Sequence, residues 1–250
     1  MLYLIGLGLR VEHLTLEALA TIKECKALFV ETYTSAYSQG TIEDLEKTID
    51  KEILKLGRKA VEEGFDEILS AAKGTDIALL VFGNPLTATT HVQILLDAKE
   101  KGIECKVIPG ISIVNYLPFT GLDAYRFGRI TTVVSPKPNF QPESFYDVIA
   151  ENKKMNLHTL CLLDVEAEKN KFMTIPEALD VLIGIEKKRN LKLIQNSTLV
   201  GIYGAGNDEQ KFVAGNLEKL KNSKLKLQPQ SLVVCAELNE KEKEALELIN

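Results

Sequence analysis

The stretch GNPLTATTH, residues 83–91, decides how the rest of the chain is interpreted. The mainly apolar run 76–82 precedes it and has the length of a strand buried on both faces. After it, apolar residues recur at helical spacing from Val92, and Gly102 stands where such a helix would end. The stretch therefore predicts a strand-to-helix loop at the carboxyl edge of a sheet, where open α/β sheets bind small ligands. A well-capped loop without a ligand explains these residues equally well.

Length and composition are those of an ordinary globular chain with one large or two small cores: 250 residues, 45% hydrophobic and 26% charged. The net charge of −5 is spread along the chain and provides no basic surface for nucleic acid. No apolar run is long enough for a membrane span, and the first residues lack the layout of a signal peptide. We therefore expect a cytoplasmic protein that binds neither nucleic acid nor membrane.

The cysteines are far apart in the sequence, and none has the spacing of a zinc ligand or a redox motif. They are Cys25, Cys105, Cys161 and Cys235. We expect buried thiols that act as small hydrophobic residues in a reducing compartment, and no bound metal.

The first half of the chain opens with a strand, 1–5, that runs into Gly6-Leu7-Gly8-Leu9. Two glycines after a strand let a ligand lie close to the backbone, but Val11 stands where a dinucleotide fingerprint would need its third glycine. Thr15 predicts the start of a helix through residue 25 that buries Leu16, Leu19 and Ala20.

The following elements alternate between strand and helix patterns. Strands are predicted at 27–30 and 104–108, and helices near 41–49 and 60–72, which the short run 53–56 separates. Pro109 and Gly110 break the last of these strands, and Ser112 offers a hydroxyl and free backbone donors on the following turn. This alternation predicts a mainly parallel sheet.

The second half has another character, with more prolines between its strands. Strands are predicted at 130–134, 158–164, 198–203 and 231–235, and helices at 143–154 and 240–249. Thr174 and Glu177 fit a capping box that opens a further helix, with Leu179, Leu182 and Ile183 on its buried face. We therefore expect an α/β fold of two α/β domains, residues 1–112 and 113–250.

Short segments along nearly the whole chain resemble the diphthine synthases, a branch of the tetrapyrrole-methylase-like methyltransferases. In chain order they are MLYLIGLGL (1–9), ETYTS (31–35), GNPLTATTH (83–91), TGL (120–122) with YRFG (125–128), SFYDVI (144–149), LHTL (157–160), LDV (163–165) and FMT (172–174). Agreement at so many places in one order is hard to explain by chance.

The resemblance implies two α/β domains with S-adenosylmethionine in the cleft between them. It also implies repeated methyl transfer to the amino group of an aminocarboxypropyl arm on a histidine of elongation factor 2, during diphthamide biosynthesis. S-adenosylhomocysteine would be the product of each transfer, and a homodimer is the expected assembly.

Matched positions place the family's cofactor contacts on particular residues of this chain. They are Leu9, Asn84, Thr87, Ser112, Ile113, Leu163, Ala205 and Gln230. The strand and turn patterns independently place four of these residues at strand ends, namely Leu9, Asn84, Thr87 and Ser112.

Two of these positions depart from the family's usual residues. Asn84 replaces the aspartate of a Gly-Asp-Pro loop, so it loses charge but keeps an acceptor and should weaken cofactor affinity modestly. Gln230 follows Pro229 where the family usually has histidine, and its amide can still form a hydrogen bond to the cofactor. The segment around Ala205 is irregular relative to the family, so this assignment is shifted by one residue if the segment is misaligned.

Methyl transfer from a sulfonium requires a near-attack geometry and a site shielded from water, and it needs no dedicated base. The titratable residues nearest the expected site are Glu31, Tyr33, His91, His158 and Asp164. We interpret His158 as a core histidine and His91 as a residue behind the binding surface; Asp164 can orient the amine or cap a loop. No residue is assigned as catalytic.

Two other functions stay open at this point. A methyltransferase of the same fold could act on a tetrapyrrole-like small molecule, although the matched segments follow the diphthine branch. A non-catalytic protein that binds S-adenosylmethionine is the second alternative, suggested by Asn84 and Gln230.

Overall fold

The computed structural model describes residues 1–249, which divide into two compact units, each with its own sheet. Unit 1 contains Met1–Asn115 and Glu166–Asn170, and unit 2 contains Tyr116–Val165 and the chain from Lys171 onward. The α/β fold class is confirmed by the strands and helices of both units. The expected boundary between residues 112 and 113 stays a prediction, and Asn250, the last residue of the expected second domain, lies outside the described residues.

Unit 1 is built on a five-stranded sheet of β1 (Leu2–Gly6), β2 (Ala27–Glu31), β3 (Leu54–Leu56), β4 (Ile77–Val81) and β5 (Cys105–Ile108). The strand order is β3-β2-β4-β1-β5, with every pair of neighbours parallel. Its helices are α1 (Leu16–Glu24), α2 (Ile42–Ile49), α3 (Arg58–Glu62), α4 (Asp66–Ala71) and α5 (Val92–Glu100), with a 3-10 turn at Val11–His13. The prediction of a parallel sheet for this half of the chain is confirmed.

The central strands of this sheet are apolar because both of its faces are covered. One apolar cluster contains Ile5 and Leu80, and another on the opposite face contains Leu4 and Leu79, so successive residues point to opposite sides. Since β1 lies between β4 and β5, the loops that follow these three strands leave the sheet side by side. The 83–91 stretch is the loop after β4, as predicted.

Helix α1 begins where expected but buries another face. The prediction that Leu16, Leu19 and Ala20 are buried is wrong: Leu16 and Ala20 are exposed, and Leu19 is only partly buried. Ala18 and Ile22 face the core instead. These two residues lie four positions apart on one side of the helix and pack in the same cluster as the strands, whereas Leu16 stands at the open first turn.

The single helix expected near 60–72 is divided into α3 and α4, with Gly64 in the connection. Glycine is a poor helix former because it loses much backbone freedom when it is ordered. The predicted helix ends are confirmed elsewhere. Thr15 accepts a hydrogen bond from the Ala18 N–H at 3.0 Å, Thr174 and Glu177 form the reciprocal capping box, and Gly102 follows α5 with a positive φ of 64°.

Unit 2 is built on a mixed sheet of β6 (Thr131–Val133), β7 (Thr159–Leu163), β10 (Leu199–Tyr203), β11 (Lys211–Gly215) and β12 (Gln230–Val234). The strand order is β11-β10-β12-β7-β6, and only β6 and β7 are parallel. Two short strands follow β7 in the chain, β8 (Val165–Glu166), whose second residue belongs to unit 1, and β9 (Lys171–Phe172). Its helices are α6 (Ser144–Lys154), α7 (Ile175–Arg189), α8 (Leu217–Lys221) and α9 (Glu240–Leu248). Three 3-10 segments remain: Ile113–Thr120, which begins in unit 1, Ala124–Arg126 in unit 2 and Ala167–Lys169 in unit 1.

Strand β11 and helix α8 were not expected from the sequence. β11 is an edge strand with only one fully buried residue, Ala214, so its apolar pattern is weak. It pairs with β10 as a hairpin, and this connection makes the second sheet antiparallel there. Among residues 1–249, none of the helices combines the length and the apolar character needed to cross a membrane.

Candidate functional site

Three strand-end loops of unit 1 meet at Gly6, Gly83 and Gly110. A Cβ placed on Gly6 would lie 2.7 Å from the Gly83 carbonyl oxygen, and one placed on Gly110 would lie 2.7 Å from the carbonyl carbon of Gly6. Both distances are shorter than real Cβ contacts, so any side chain here would push the backbones apart. Only glycine lets the three loops approach this closely.

The loops after β1 and β4 are also joined by hydrogen bonds. The Gly83 N–H donates to the Gly8 carbonyl at 2.8 Å, and the Gly8 N–H donates to the Gly83 carbonyl at 3.2 Å. Gly83 has a φ of 73°, in the left-handed region that favours glycine. The next residue, Leu9, has its own backbone held on both sides: its N–H donates to His13 Nδ1 at 3.2 Å, and its carbonyl accepts from Ser38.

Asn84 closes the turn that follows β4 and connects it to the loop after β5. Its Oδ1 accepts from the Leu86 N–H at 3.1 Å, and its Nδ2 donates weakly to the Gly110 carbonyl at 3.4 Å. The Thr87 N–H donates to the Asn84 carbonyl at 3.2 Å, which places the partly buried Thr87 at the tip of this turn. The structure therefore brings Asn84 and Thr87 to the edge where the sequence predicts them.

Ser112 lies beside the same loop, because a Cβ on Gly83 would be in ordinary contact with the Ser112 Cβ at 3.7 Å. Ser112 is buried; its N–H donates to Asn115 Oδ1 at 2.9 Å, and its carbonyl accepts from the Asn115 N–H at 3.0 Å. Ile113 begins the 3-10 segment directly after it. Five predicted positions, Leu9, Asn84, Thr87, Ser112 and Ile113, thus lie on the connected loops of unit 1.

Three titratable residues named from the sequence lie behind this loop. His91 is 1% exposed; its Nδ1 lies 3.0 Å from the Pro85 carbonyl oxygen and its Nε2 lies 3.4 Å from the Tyr33 hydroxyl. Burial raises the pKa of Tyr33 to about 12, and the nearby Glu31 carboxylate contributes to the shift. Glu31 is fully buried and accepts hydrogen bonds from the backbone N–H groups of Tyr33 and Thr34.

In unit 2, Leu163 is the buried last residue of β7, and Asp164 follows it. The Asp164 carboxylate accepts from the Ser135 N–H at 3.0 Å, and its backbone bonds to Val133 and Met173 on either side. Of the two roles open to Asp164, this geometry supports loop capping, because one carboxylate oxygen already holds the turn after β6.

Ala205 and Gln230 lie at neighbouring strand ends in the same unit. Ala205 is buried between Gly204 and Gly206, and the Gly204 N–H donates to the Pro229 carbonyl at 3.0 Å. Gln230 is 4% exposed, and its side-chain amide is bonded within the protein: Oε1 accepts from the Ile175 N–H at 2.8 Å. Its Nε2 donates to the carbonyls of residues 225 and 227 at 3.2 and 3.1 Å.

His158, the other buried histidine, belongs to a polar cluster of unit 2. Its Nδ1 accepts from the Ala236 N–H at 3.0 Å, so Nε2 carries the hydrogen and donates to Glu242 at 2.9 Å. Burial lowers the pKa of His158, although the bond to Glu242 opposes this. Burial acts to raise the pKa of Glu242, but the hydrogen bonds that it accepts outweigh burial and keep the pKa below its usual range. Arg126 also donates to Glu242, so the cluster anchors α9, and His158 is a core histidine as expected.

Sequence reasoning missed the contact between Gly6 and Gly110 and the role of Asn115. The signal was present, because each glycine directly follows a predicted strand or its closing proline. Which glycines meet depends on the strand order, and that order is not visible in the sequence.

The 83–91 loop of unit 1 presents neutral donors and acceptors and carries no lysine or arginine. The ring nitrogens of its His91 face the protein. The hydroxyls of Thr87 and Ser112 suit the sugar and amino-acid groups of a nucleoside-like ligand, and the amide of Asn84 holds the turn that carries Thr87. A cationic sulfonium would meet no like charge on this loop.

Comparisons with known proteins cover nearly the whole chain. The family model for tetrapyrrole (corrin/porphyrin) methylases matches residues 1–221. The chain is 39% identical over 251 residues to a diphthine synthase of Methanococcus maripaludis strain C6, covering 100% of this chain and 98% of that protein. It is 40% identical over 240 residues to a diphthine synthase of Staphylothermus marinus, covering 94% and 88%. A crystal structure of a diphthine synthase matches with a TM-score of 0.90 and 32% identity, covering 100% of this chain and 96% of that one.

Proposed function

Because the chain belongs to the tetrapyrrole methylase family, as a methyltransferase of the diphthine synthase type, we propose that it transfers methyl groups from S-adenosylmethionine to elongation factor 2. The acceptor is the amino group of the aminocarboxypropyl arm on a histidine of that factor, methylated repeatedly in diphthamide biosynthesis. The observation that carries the proposal is the likeness to diphthine synthases over the full length of both chains. It also confirms the family resemblance expected from the sequence.

The residues of both units that hold the cofactor are part of this proposal. In unit 1 they are Leu9, Asn84, Thr87, Ser112 and Ile113, and in unit 2 they are Leu163, Ala205 and Gln230. The hydroxyls of Thr87 and Ser112 lie on the connected loops, and Asn84 shapes the turn between them through its bonds to Leu86 and Gly110. Gln230 contributes shape and backbone groups, since its side-chain amide is used within the protein.

When bound, S-adenosylmethionine supplies a methyl group on a positively charged sulfur. The chain's own task is to position this group and the acceptor amine in line and to exclude water. The loops of unit 1 suit positioning because backbone hydrogen bonds and close glycine contacts hold them. No residue is needed as a general base if the acceptor amine arrives unprotonated, and we assign none.

The remaining parts of the proposal concern organisation in the cell. We assign two domains, residues 1–112 and 113–250, a homodimer and a cytoplasmic location. S-adenosylhomocysteine is the released product, and the partner is a protein and not a nucleic acid or a membrane. The net charge of −5, spread along the chain, is consistent with a protein partner.

The test is a transfer assay with radiolabelled S-adenosylmethionine and elongation factor 2 that carries the unmethylated arm. Label on the factor is expected, and mass spectrometry then counts the methyl groups. The matched control is the same factor with its modified histidine replaced, which should stay unlabelled. Cofactor binding by calorimetry without label would favour a tetrapyrrole-like acceptor or a protein that only binds the cofactor. No binding would overturn the site assignment.

A further inference from the structure

We propose that His91 is a positioning residue, which with Tyr33 fixes the shape of the loop that carries Asn84 and Thr87. The proposal rests on the proposed function, because it assigns a task within the same site. His91 touches no surface that a ligand could reach, since its side chain is buried and both ring nitrogens face protein atoms. It acts through the backbone of the loop.

The direct contact is at the Pro85 carbonyl oxygen. His91 Nδ1 lies 3.0 Å from this oxygen, which can only accept, so Nδ1 carries the hydrogen and donates. Thr89 Oγ1 donates to the same oxygen at 2.5 Å. Two donors on one carbonyl fix the orientation of the peptide between Pro85 and Leu86, whose N–H donates to Asn84 Oδ1, and therefore the turn in which Asn84 and Thr87 stand.

The second ring nitrogen determines how His91 itself is held. With the hydrogen on Nδ1, Nε2 is an acceptor, and the Tyr33 hydroxyl lies 3.4 Å away as the donor. The two rings meet edge to face at 87°. Since burial raises the pKa of Tyr33 to about 12, its hydroxyl keeps its proton at physiological pH.

Tyr33 is anchored to the sheet by its neighbour in the chain. Glu31 is the last residue of β2 and accepts from the Tyr33 N–H at 3.1 Å and the Thr34 N–H at 3.0 Å. The Arg58 guanidinium covers the Tyr33 ring at 4.9 Å. Glu31, Tyr33 and His91 thus form a hydrogen-bonded relay. Because β2 and β4 are neighbouring strands, this relay connects the end of β2 to the loop after β4.

The loop needs such support because part of it is strained. Ala88 has a φ of 56°, a left-handed conformation that is unfavourable for a residue with a Cβ. Strain of this kind persists only where the surroundings hold it, and it is concentrated at functional sites. An apolar pair could fill the space of His91 and Tyr33, but it could not orient the Pro85 carbonyl.

The experiment compares three variants of the full chain. His91→Leu removes the donor, His91→Asn keeps an N–H near the position of Nδ1, and Tyr33→Phe removes the hydroxyl that holds the ring. Lys51→Met is the matched control in unit 1, since Lys51 caps α1 and does not contact this loop. Calorimetry with S-adenosylmethionine measures affinity, and hydrogen exchange without cofactor measures protection of the Leu86 and Thr87 amides.

We expect His91→Leu to weaken cofactor binding about fivefold, which corresponds to the ~1 kcal/mol of one hydrogen bond. The same variant should speed exchange at Leu86 and Thr87, Tyr33→Phe should do so less, and His91→Asn should restore both readouts toward wild type. Lys51→Met should lower the melting temperature without changing cofactor affinity or the exchange of the Leu86 and Thr87 amides.

The outcomes separate this inference from the proposed function. If wild type does not bind S-adenosylmethionine but exchange changes as described, the relay stands and the cofactor assignment fails. If wild type binds and His91→Leu changes neither affinity nor exchange, the relay is refuted. If His91→Asn behaves as His91→Leu does, His91 only fills space.

Discussion

Gly110→Ala tests the close approach of the three loops in unit 1. The new Cβ would lie 2.7 Å from the carbonyl carbon of Gly6, 2.9 Å from its Cα and closer still to the Gly83 oxygen. Gly110 is not in the left-handed region, so its backbone conformation is open to alanine and the cost comes from these contacts alone. All of them are backbone atoms at the ends of paired strands, which cannot rotate away.

Overpacking a tight site costs about 1–3 kcal/mol, and contacts with backbone on two sides place this substitution near 3 kcal/mol. In a chain of this length such a loss lowers the melting temperature by roughly 6–12 °C. The strain can be relieved only by moving the loops, and a displacement of about 1 Å at a site can lower the rate roughly a hundredfold. Gly110→Ala should therefore lose both stability and methyl transfer.

The matched control is Gly184→Ala, on the exposed side of α7, where an added Cβ meets nothing within 4 Å. Alanine is the better helix former, so this variant should gain up to ~1 kcal/mol. Thermal unfolding and calorimetry with S-adenosylmethionine are measured on both variants. A Gly110→Ala protein that melts within about 2 °C of wild type and binds the cofactor equally well would refute the close approach of the three loops.

Three further variants test other contacts. Lys51→Met should lower the free energy of unfolding by about 1–2 kcal/mol, measured in urea, because the Lys51 ammonium donates to the Ile22 and Cys25 carbonyls at the end of α1. The control Lys55→Met, at an exposed lysine, should leave the free energy of unfolding unchanged. Since burial lowers the pKa of His158 in the folded state, the unfolded chain binds more protons below its ordinary pKa of 6.5. Stability should therefore fall as pH drops from 6.5 toward 5, and His158→Gln should reduce that slope; an unchanged slope would exclude His158 as its source. Asn84→Ala should weaken binding of S-adenosylmethionine about five- to tenfold by calorimetry, since both bonds of its amide are lost, and equal affinity would remove Asn84 from the site.

Much of unit 1 could be predicted because its signals are local. A buried strand, a glycine-proline turn and a helical repeat place the 83–91 loop correctly, and the alternation of elements gives a parallel sheet. The buried face of α1 could not be obtained in the same way. Its sequence offers two apolar stripes, one through Leu16 and one through Ala18 and Ile22, and only packing against the strands selects between them.

Gln230 illustrates what motif matching cannot supply. The sequence places a polar residue at a strand start, after a proline, and the resemblance leads us to expect a histidine there that contacts the ligand through its side chain. The structure shows that the same amide accepts from the Ile175 N–H at the start of α7 and gives both of its hydrogens to backbone carbonyls. Breaking the hydrogen bonds of a buried amide would leave backbone groups without partners, which costs free energy. The bonds of Gln230 within the protein are therefore favoured over new bonds to a ligand. A histidine has two ring nitrogens and could not serve all three backbone groups. The glutamine at position 230 is therefore explained by support of the strand end and the helix start, without any contact to a ligand.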